Sequence, residues 1–432
     1  MKVVVAVLLF LALATEARAD AWVPTSLGDH RVDPLVAADG TTASIAFSYA
    51  GPLSLVVLGP AQAPTVTDLA KEAFAADAAV APGGWAAVAW TDGEGRMQAA
   101  VHRPDGTVVR RVLARGSVSR PVIGIDGSGH TLVGWVGREG EEDTTWVGRW
   151  AGGPGLARQP DLPGAIAVEV AVSGSGHRLL AWTTDTGTFA RLNDEPATTL
   201  GGASRVDLVA RVNDAGAALV AANLRADGPS IAERPAGAGW SPLRDVSGGH
   251  PIRPYLFDER PQLFAVLAPS GRAAVTWLTR RDDGQWFRVA AVGGTVGGAW
   301  GPATQLSSPV RDAHTATPVL DPAGNPEVVW DEGGVYRSAR HDLAAVPDTV
   351  PLTATARLSA RGTRVIARVR CSKACDAGLS MRDGSSEERE IRAHRTSTVR
   401  LRIERKRRVR VTLVVADRAG HTKRWTRTLR VR

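Results

Sequence analysis

Cysteine, lysine and long apolar runs are scarce in this chain of 432 residues, and each scarcity excludes something. The two cysteines, Cys371 and Cys375, are too few for a disulfide-dense scaffold or a four-cysteine zinc site. Five lysines stand against 47 arginines, so nearly all the positive charge is guanidinium, planar and always protonated. No Gly-Lys pair occurs, which excludes a phosphate-binding P-loop, and neither His-Glu-x-x-His nor Gly-x-Ser-x-Gly is present. Beyond the first residues no apolar run is long enough for a membrane-spanning helix, and no amphipathic helix of three turns can be traced. What is present, 44% hydrophobic and 22% charged residues, is the balance of a globular chain with room for more than one domain.

The start of the chain carries a location signal. Lys2 precedes an apolar stretch, Val3 to Ala14, and Ala17-Arg18-Ala19 puts small residues at the two positions a signal peptidase reads. The expectation is a leader over residues 1–19 and a secreted or cell-surface protein starting at Asp20, with an uncleaved anchor as the alternative. In an exported chain Cys371 and Cys375 read as a disulfide; a metal site would need two further ligands, and the nearest histidine is His394.

A pattern recurs through the first three quarters of the chain: a short apolar strand, a turn with glycine, and an alternating strand ending in tryptophan. Its clearest copies end at Trp135 and Trp182, with others at Trp90, Trp277 and Trp330. In all five a glycine lies six residues earlier, at Gly84, Gly129, Gly176, Gly271 and Gly324. Phe47 and Ala222 hold the same place in two degenerate copies, which makes seven units about 47 residues apart. Two further strands follow in each unit, some marked by Trp-x-Pro at Trp240 and Trp300. Four short strands per unit is the content of a β-propeller blade. The segment Trp22 to Leu27 matches those Trp-x-Pro segments, and the last unit lacks one, so the N-terminal strand is expected to complete the last blade. Six or eight blades is the alternative framing.

In these repeats the chain resembles secreted bacterial β-propellers with Trp-ended repeats, akin in fold to the sialidase-like group, over Trp22 to Val346. The sialidase Asp-box has its tryptophan three residues after glycine, whereas the interval here is six. A glycan-active hydrolase or lyase is the alternative that this resemblance implies, with Arg120, Arg260, Tyr49 and Tyr336 able to supply the arginine cluster and tyrosine of such a site. Beyond Val346-Pro-Asp-Thr-Val-Pro351, the run Val411 to Trp425 resembles the last hairpin of bacterial immunoglobulin-like modules. The expected fold is therefore all-β: a propeller of about seven blades over 20–346, a linker at 347–351 and a small immunoglobulin-like β-sandwich over 352–432, with strands at Thr353–Leu358, Arg364–Arg370, Thr398–Ile403, Val409–Ala416 and Lys423–Val431.

Charge divides at the same boundary. Residues 349–432 hold 23 Lys and Arg against 7 Asp and Glu, a net +16, while the rest of the chain carries a net −8. Strand alternation sends Arg400 and Arg402, then Arg408 and Arg410, to solvent, with Arg405 and Arg407 in the turn between them. These six are the candidate polyanion-binding residues, with docking onto the acidic propeller as the other reading. On the propeller, loops between second and third strands carry Asp92 and Glu94; Glu139 and Asp143; Asp185; Asp227; Asp282 and Asp283; and Asp331 and Glu332. They are ordinary turn residues, or else a ligand rim. No cofactor is expected; calcium is the open alternative at that rim, although no EF-hand loop is present. His130 and His177 follow the repeat glycine and read as surface positions. The expected partners are anionic cell-envelope or extracellular polymers, or a protein or glycan, and not nucleic acid. A monomer is expected.

Overall fold

The computed structural model describes residues 31–32, 35–36, 41–47, 50–58, 65–115, 118–139, 142–150, 156–158, 162, 164–202, 207–223, 228–252, 263–280, 287–307, 313, 316–320, 324–332, 335–340, 351–381, 386–403, 408–417 and 422–431. The leader, Trp22 to Leu27 and the boundary segment 341–350 lie outside them. Among the described residues all regular structure is β-strand.

Residues 31–340 form seven successive antiparallel meanders. In the first, Arg31–Val32 and Leu35–Val36 both pair with Thr42–Phe47, followed by Gly51–Leu58 and Thr65–Ala73. The second to sixth have four strands each: Ala75–Ala81, Trp85–Thr91, Met97–His102 and Val108–Ala114; Val118–Ile125, Thr131–Glu139, Glu142–Trp150 and Leu156–Arg158; Ala165–Val172, Arg178–Thr184, Thr188–Leu192 and Thr198–Gly201; Leu208–Val212, Ala218–Asn223, Pro229–Arg234 and Arg244–Asp245; Leu263–Leu267, Arg272–Arg280, Phe287–Thr295 and Thr304–Gln305. The seventh shows Thr317–Leu320, Pro326–Glu332 and Val335–Arg340. First strands of consecutive sheets touch all along the series, and Leu35–Val36 touches both Ala75–Ala81 and Thr317–Leu320, returning the series to its start. This cyclic stacking of meanders is a β-propeller.

The repeat positions explain the stacking. All seven anchors fall in second strands, and Trp90, Trp135, Trp182, Trp277 and Trp330 are buried. Among the described residues no propeller sheet has a core of its own. Each apolar cluster joins two neighbours, as Leu179, Leu200 and Leu192 of the fourth sheet meet Leu208, Val220 and Ala222 of the fifth. Trp240 and Trp300 lie just before the short fourth strands Arg244–Asp245 and Thr304–Gln305 and pack on these clusters. Turns between first and second strands repeat one hydrogen-bonded form: Gly129 N donates to Asp126 O at 3.0 Å and Gly176 N to Ser173 O at 3.0 Å. The turns also link sheet to sheet, through Gly127 N to Gly174 O at 3.0 Å, Ser175 N to Asp214 Oδ1 at 2.9 Å and Asn213 Nδ2 to Ala268 O at 3.0 Å.

Gly129 meets two constraints at once. Its φ is +83°, and an added Cβ would sit 2.4–2.7 Å from three ring atoms of Trp85 on the preceding sheet. Gly176, at φ +91°, would meet only Asp126 Oδ2, at 3.6 Å. Gly129→Ala should therefore cost about 2–4 kcal/mol in urea unfolding, and Gly176→Ala only the backbone part, about 1 kcal/mol. Equal costs would show that the Trp85 ring gives way freely.

Residues 351–431 form two sheets with a core of their own, built from Leu352, Val365, Val369, Leu379, Val411, Leu413 and their neighbours. One sheet orders Ala354–Arg361, Arg364–Cys371 and Thr396–Arg402; the other orders Ser386–Ile391, Cys375–Met381, Arg408–Asp417 and Thr422–Arg430. Five strands match the sequence expectation, and Cys375–Met381 and Ser386–Ile391 are additional. Cys371 ends a strand of the first sheet and Cys375 begins one of the second; they form a disulfide pair with Cα atoms 6.5 Å apart. The bond thus spans the crossing between sheets rather than a single turn. Both cysteines are at most 3% exposed. Protein purified without reductant should show no alkylatable thiol until it is reduced; two thiols labelled without reductant would refute the bond.

Candidate functional site

The three-stranded sheet of the C-terminal module presents an outer face of arginine. Alternation turns Ala354, Ala356, Leu358 and Ala360, then Val365, Ala367 and Val369, then Val399 and Leu401, toward the core. The opposite face carries Arg357 and Arg361; Arg364, Arg368 and Arg370; and Arg400 and Arg402, all exposed. Register sets them side by side: Arg357 opposite Arg368, Arg361 opposite Arg364, and Arg364 opposite Arg402. Neighbouring strands are about 4.8 Å apart and alternate residues about 6.8 Å, so these seven guanidiniums share a patch a few residues wide. None of the three strands contains a carboxylate. Like charges directly opposite are unfavourable in a sheet, and among the described residues none of the seven makes an ion pair. The face is a concentrated, uncompensated positive field.

The structure divides the four arginines that sequence alternation grouped together. Arg400 and Arg402 belong to this sheet, whereas Arg408 and Arg410 lie on the outer face of the other one. Residues 404–407, with Arg405 and Arg407, fall outside the described residues, but the chain crosses from one sheet to the other between Arg402 and Arg408. The second face is of mixed sign, since Asp376 lies on the same side as Arg408, Arg410 and Arg424. Arg357, Arg361, Arg364, Arg368 and Arg370 are the site residues that the sequence reading passed over. Their signal was the alternation Arg364-Val-Ile-Ala-Arg-Val-Arg370, of the same kind as Val399-Arg-Leu-Arg402.

The acidic rim is less uniform than its sequence suggests. Asp92 is buried in its turn, where Oδ1 accepts from Glu94 N and Arg96 N, both at 3.0 Å, and Oδ2 from Arg96 Nε at 2.8 Å and from Gln98 Nε2. Glu94 pairs with Arg96 at 2.7 Å. Glu139 and Asp143 lie on paired strands rather than in a loop, with Arg138 opposite Asp143 and Glu139 opposite Glu142. Asp331 and Glu332 also lie on a strand; Glu332 is 3% exposed and faces Arg337 Nε at 3.5 Å. Asp185 is exposed in its loop. Asp227, Asp282 and Asp283 lie outside the described residues, as do Tyr49, Arg260 and the side chains of Arg120 and Tyr336. Among the described residues no group of three or more His, Cys, Asp or Glu is placed to hold a metal ion. His130 is exposed and approaches Asp126 Oδ2 at 3.1 Å, and His177 approaches Asn193 Nδ2 at 3.3 Å.

Burial pushes the Asp92 carboxyl up, but its hydrogen bonds from Arg96, Gln98 and Glu94 outweigh that and leave it below the usual 3.8. A carboxylate lowered by folding adds stability above its unfolded value and loses it as pH falls toward the folded one. Urea midpoints should be flat above about pH 5 and fall below about pH 4, and Asp92→Asn should reduce that acid dependence. An unchanged slope in the variant would contradict this assignment.

No protein-family model matches the chain, and no curated protein is similar to it in sequence. Several solved structures are similar in shape. The extracellular domain of a hybrid two-component system from B. thetaiotaomicron aligns with TM-score 0.45 and 9% identity, over 95% of this chain and 56% of that one. The present chain thus spans a little over half its length. A lectin from Aleuria aurantia in complex with Fucα1-6GlcNAc gives TM-score 0.41 and 13% identity, over 63% of this chain and 94% of that one. The β-propeller domain of the Trilobed protease from Pyrococcus furiosus gives 0.43 and 8%, over 73% and 99%. Among the described residues no helix is long and apolar enough to cross a membrane.

Proposed function

We propose that this is a secreted or cell-surface binding protein, in which a seven-bladed propeller carries an immunoglobulin-like module that grips an extended acidic polymer through its arginine face. The observation that carries the reading is the face itself: seven exposed arginines and no carboxylate on three adjacent strands. Seven meanders in cyclic contact support the blade count. The immunoglobulin-like reading rests on the three-plus-four strand order, in which the second and third strands cross between sheets. Export rests on Lys2, the apolar stretch to Ala14 and Ala17-Arg18-Ala19. Guanidinium donors suit phosphate and carboxylate groups alike, so the polymer class is acidic envelope or extracellular polymer, teichoic-type or acidic glycan.

The test is binding of the chain from Asp20 onward to immobilised teichoic acid, polyuronate and neutral dextran across a salt series. The expected result is retention on both acidic polymers, none on dextran, and steep loss as salt rises. Absence of binding to every polyanion at low salt would overturn the proposal and leave the charge to dock the module on the acidic propeller.

A further inference from the structure

A second positive cluster sits on the propeller, where the third and fourth sheets meet. The turn Asn193-Asp194-Glu195 joins Thr188–Leu192 to Thr198–Gly201. Asp194 Oδ1 accepts from Arg149 Nη2, on the third strand of the preceding sheet, and Oδ2 accepts from Arg178 Nη2 at 3.0 Å. Arg191, two residues before the turn, is paired with Leu180, which puts it on the same face of the sheet as Arg178, one place along the strand. The adjacent acid does not dilute this charge, because Glu195 is held from the other side by Arg234, at 2.8 and 2.9 Å. Two guanidiniums therefore share one carboxylate, with a third on the same sheet face. Asp194 remains 71% exposed, and Arg149 and Arg178 are 36% and 29% exposed. The two arginines each reach Asp194 through one Nη, and a guanidinium has five donors.

We propose that Arg149, Arg178 and Arg191 form an oxyanion site that takes a tetrahedral dianion, a free phosphate or sulfate ion or the phosphate monoester of a ligand, beside Asp194. After Asp194 the cluster keeps an excess of two positive charges, which a dianion neutralises and a carboxylate does not. The donors come from three strands in two sheets, so they approach from several directions; tetrahedral oxygens accept such an array, whereas a planar carboxylate takes one fork. Burial and the charges of Arg149 and Arg178 all work against the positive charge of Arg191, and Asp194 only partly offsets them. A bound anion relieves the same repulsion. This site is independent of the sandwich face and rests on different residues.

The test uses the chain from Asp20 onward with all seven arginines of the sandwich face, Arg357, Arg361, Arg364, Arg368, Arg370, Arg400 and Arg402, replaced by Gln, so that the other basic face does not contribute. Calorimetric titration at about pH 7.5 and constant ionic strength with inorganic sulfate, inorganic phosphate, a sugar monophosphate and acetate should give saturable one-site binding to the first three and none to acetate. Tighter binding of the sugar ester than of the free anions identifies a glycan ester as the source; equal binding identifies the free ion. Arg178→Gln and Arg149→Gln should each weaken binding at least about tenfold. Asp194→Asn should strengthen it, because a competing negative charge is removed. Failure of saturable binding in the parent protein, or binding unchanged in Arg178→Gln, overturns the proposal. So does weaker binding in an Asp194→Asn protein that keeps its β-sheet circular dichroism, which would make the cluster a staple between sheets and nothing more.

Discussion

Replacing Arg357, Arg368, Arg400 and Arg402 with glutamine should remove most of the chain's affinity for a polyanion, whereas replacing Arg408 and Arg410 should remove little. The first four share one face of one sheet. The second pair lies on the outer face of the other sheet, which also carries Asp376 farther along. Duplex DNA is a suitable probe because its charge spacing is fixed. Each phosphate left without its guanidinium should flatten the dependence of log affinity on log salt by about 0.9, so four such phosphates predict a change in slope of about 3.6. At low salt this amounts to a weakening on the order of a hundredfold or more. Glutamine keeps the aliphatic stem and the strand alternation, and all four side chains are exposed, so the fold should be untouched. Equal weakening by the two sets, or an unchanged slope in the first, would place the binding surface elsewhere.

The second large effect is expected at Trp277. Its side chain is fully buried between the fifth and sixth sheets, and its Nε1 donates to His250 O at 2.7 Å. Trp277→Ala removes the largest apolar group in that cluster and leaves the His250 carbonyl without its donor. The expected cost is about 3–5 kcal/mol, a large share of a domain's net stability. Trp277→Phe keeps the ring volume in part and loses the hydrogen bond, so it should cost clearly less. Urea or thermal unfolding reads both; a Trp277→Ala cost under about 1 kcal/mol would mean that neighbouring sheets close the cavity at once. Ala222 shows that the position tolerates a small residue where the rest of the interface has adapted. It is fully buried in the preceding sheet, among Leu179, Leu200 and Val220.

The repeat was legible because blade stacking imposes the same demands on most units. In five of the seven units a tryptophan fills the gap between sheets and a glycine with positive φ closes the turn six residues before it. Those demands survive as Gly129 with Trp135 or Gly271 with Trp277, whatever the intervening residues. The sandwich strands Cys375–Met381 and Ser386–Ile391 were illegible because Ser386-Glu-Glu-Arg-Glu-Ile391 carries charge at nearly every position, and an edge strand pays little for that. The arginine face was half legible. Alternation shows which side of a strand is wet, but not which sheet the strand joins, and that assignment separates Arg402 from Arg408. Acidic loops were misjudged at Glu139 and Glu332 because Asp and Glu serve turns and strand ends equally well, and only pairing partners distinguish the two.

The paired acids Asp194 and Glu195 have a consequence for how the ring comes apart. One exposed turn ties the fourth sheet to Arg149 on the third and to Arg234 on the fifth. A fluctuation that lifts this turn breaks the ion pairs to both neighbours together. Loss of either acid would leave the turn tied to one neighbouring sheet alone.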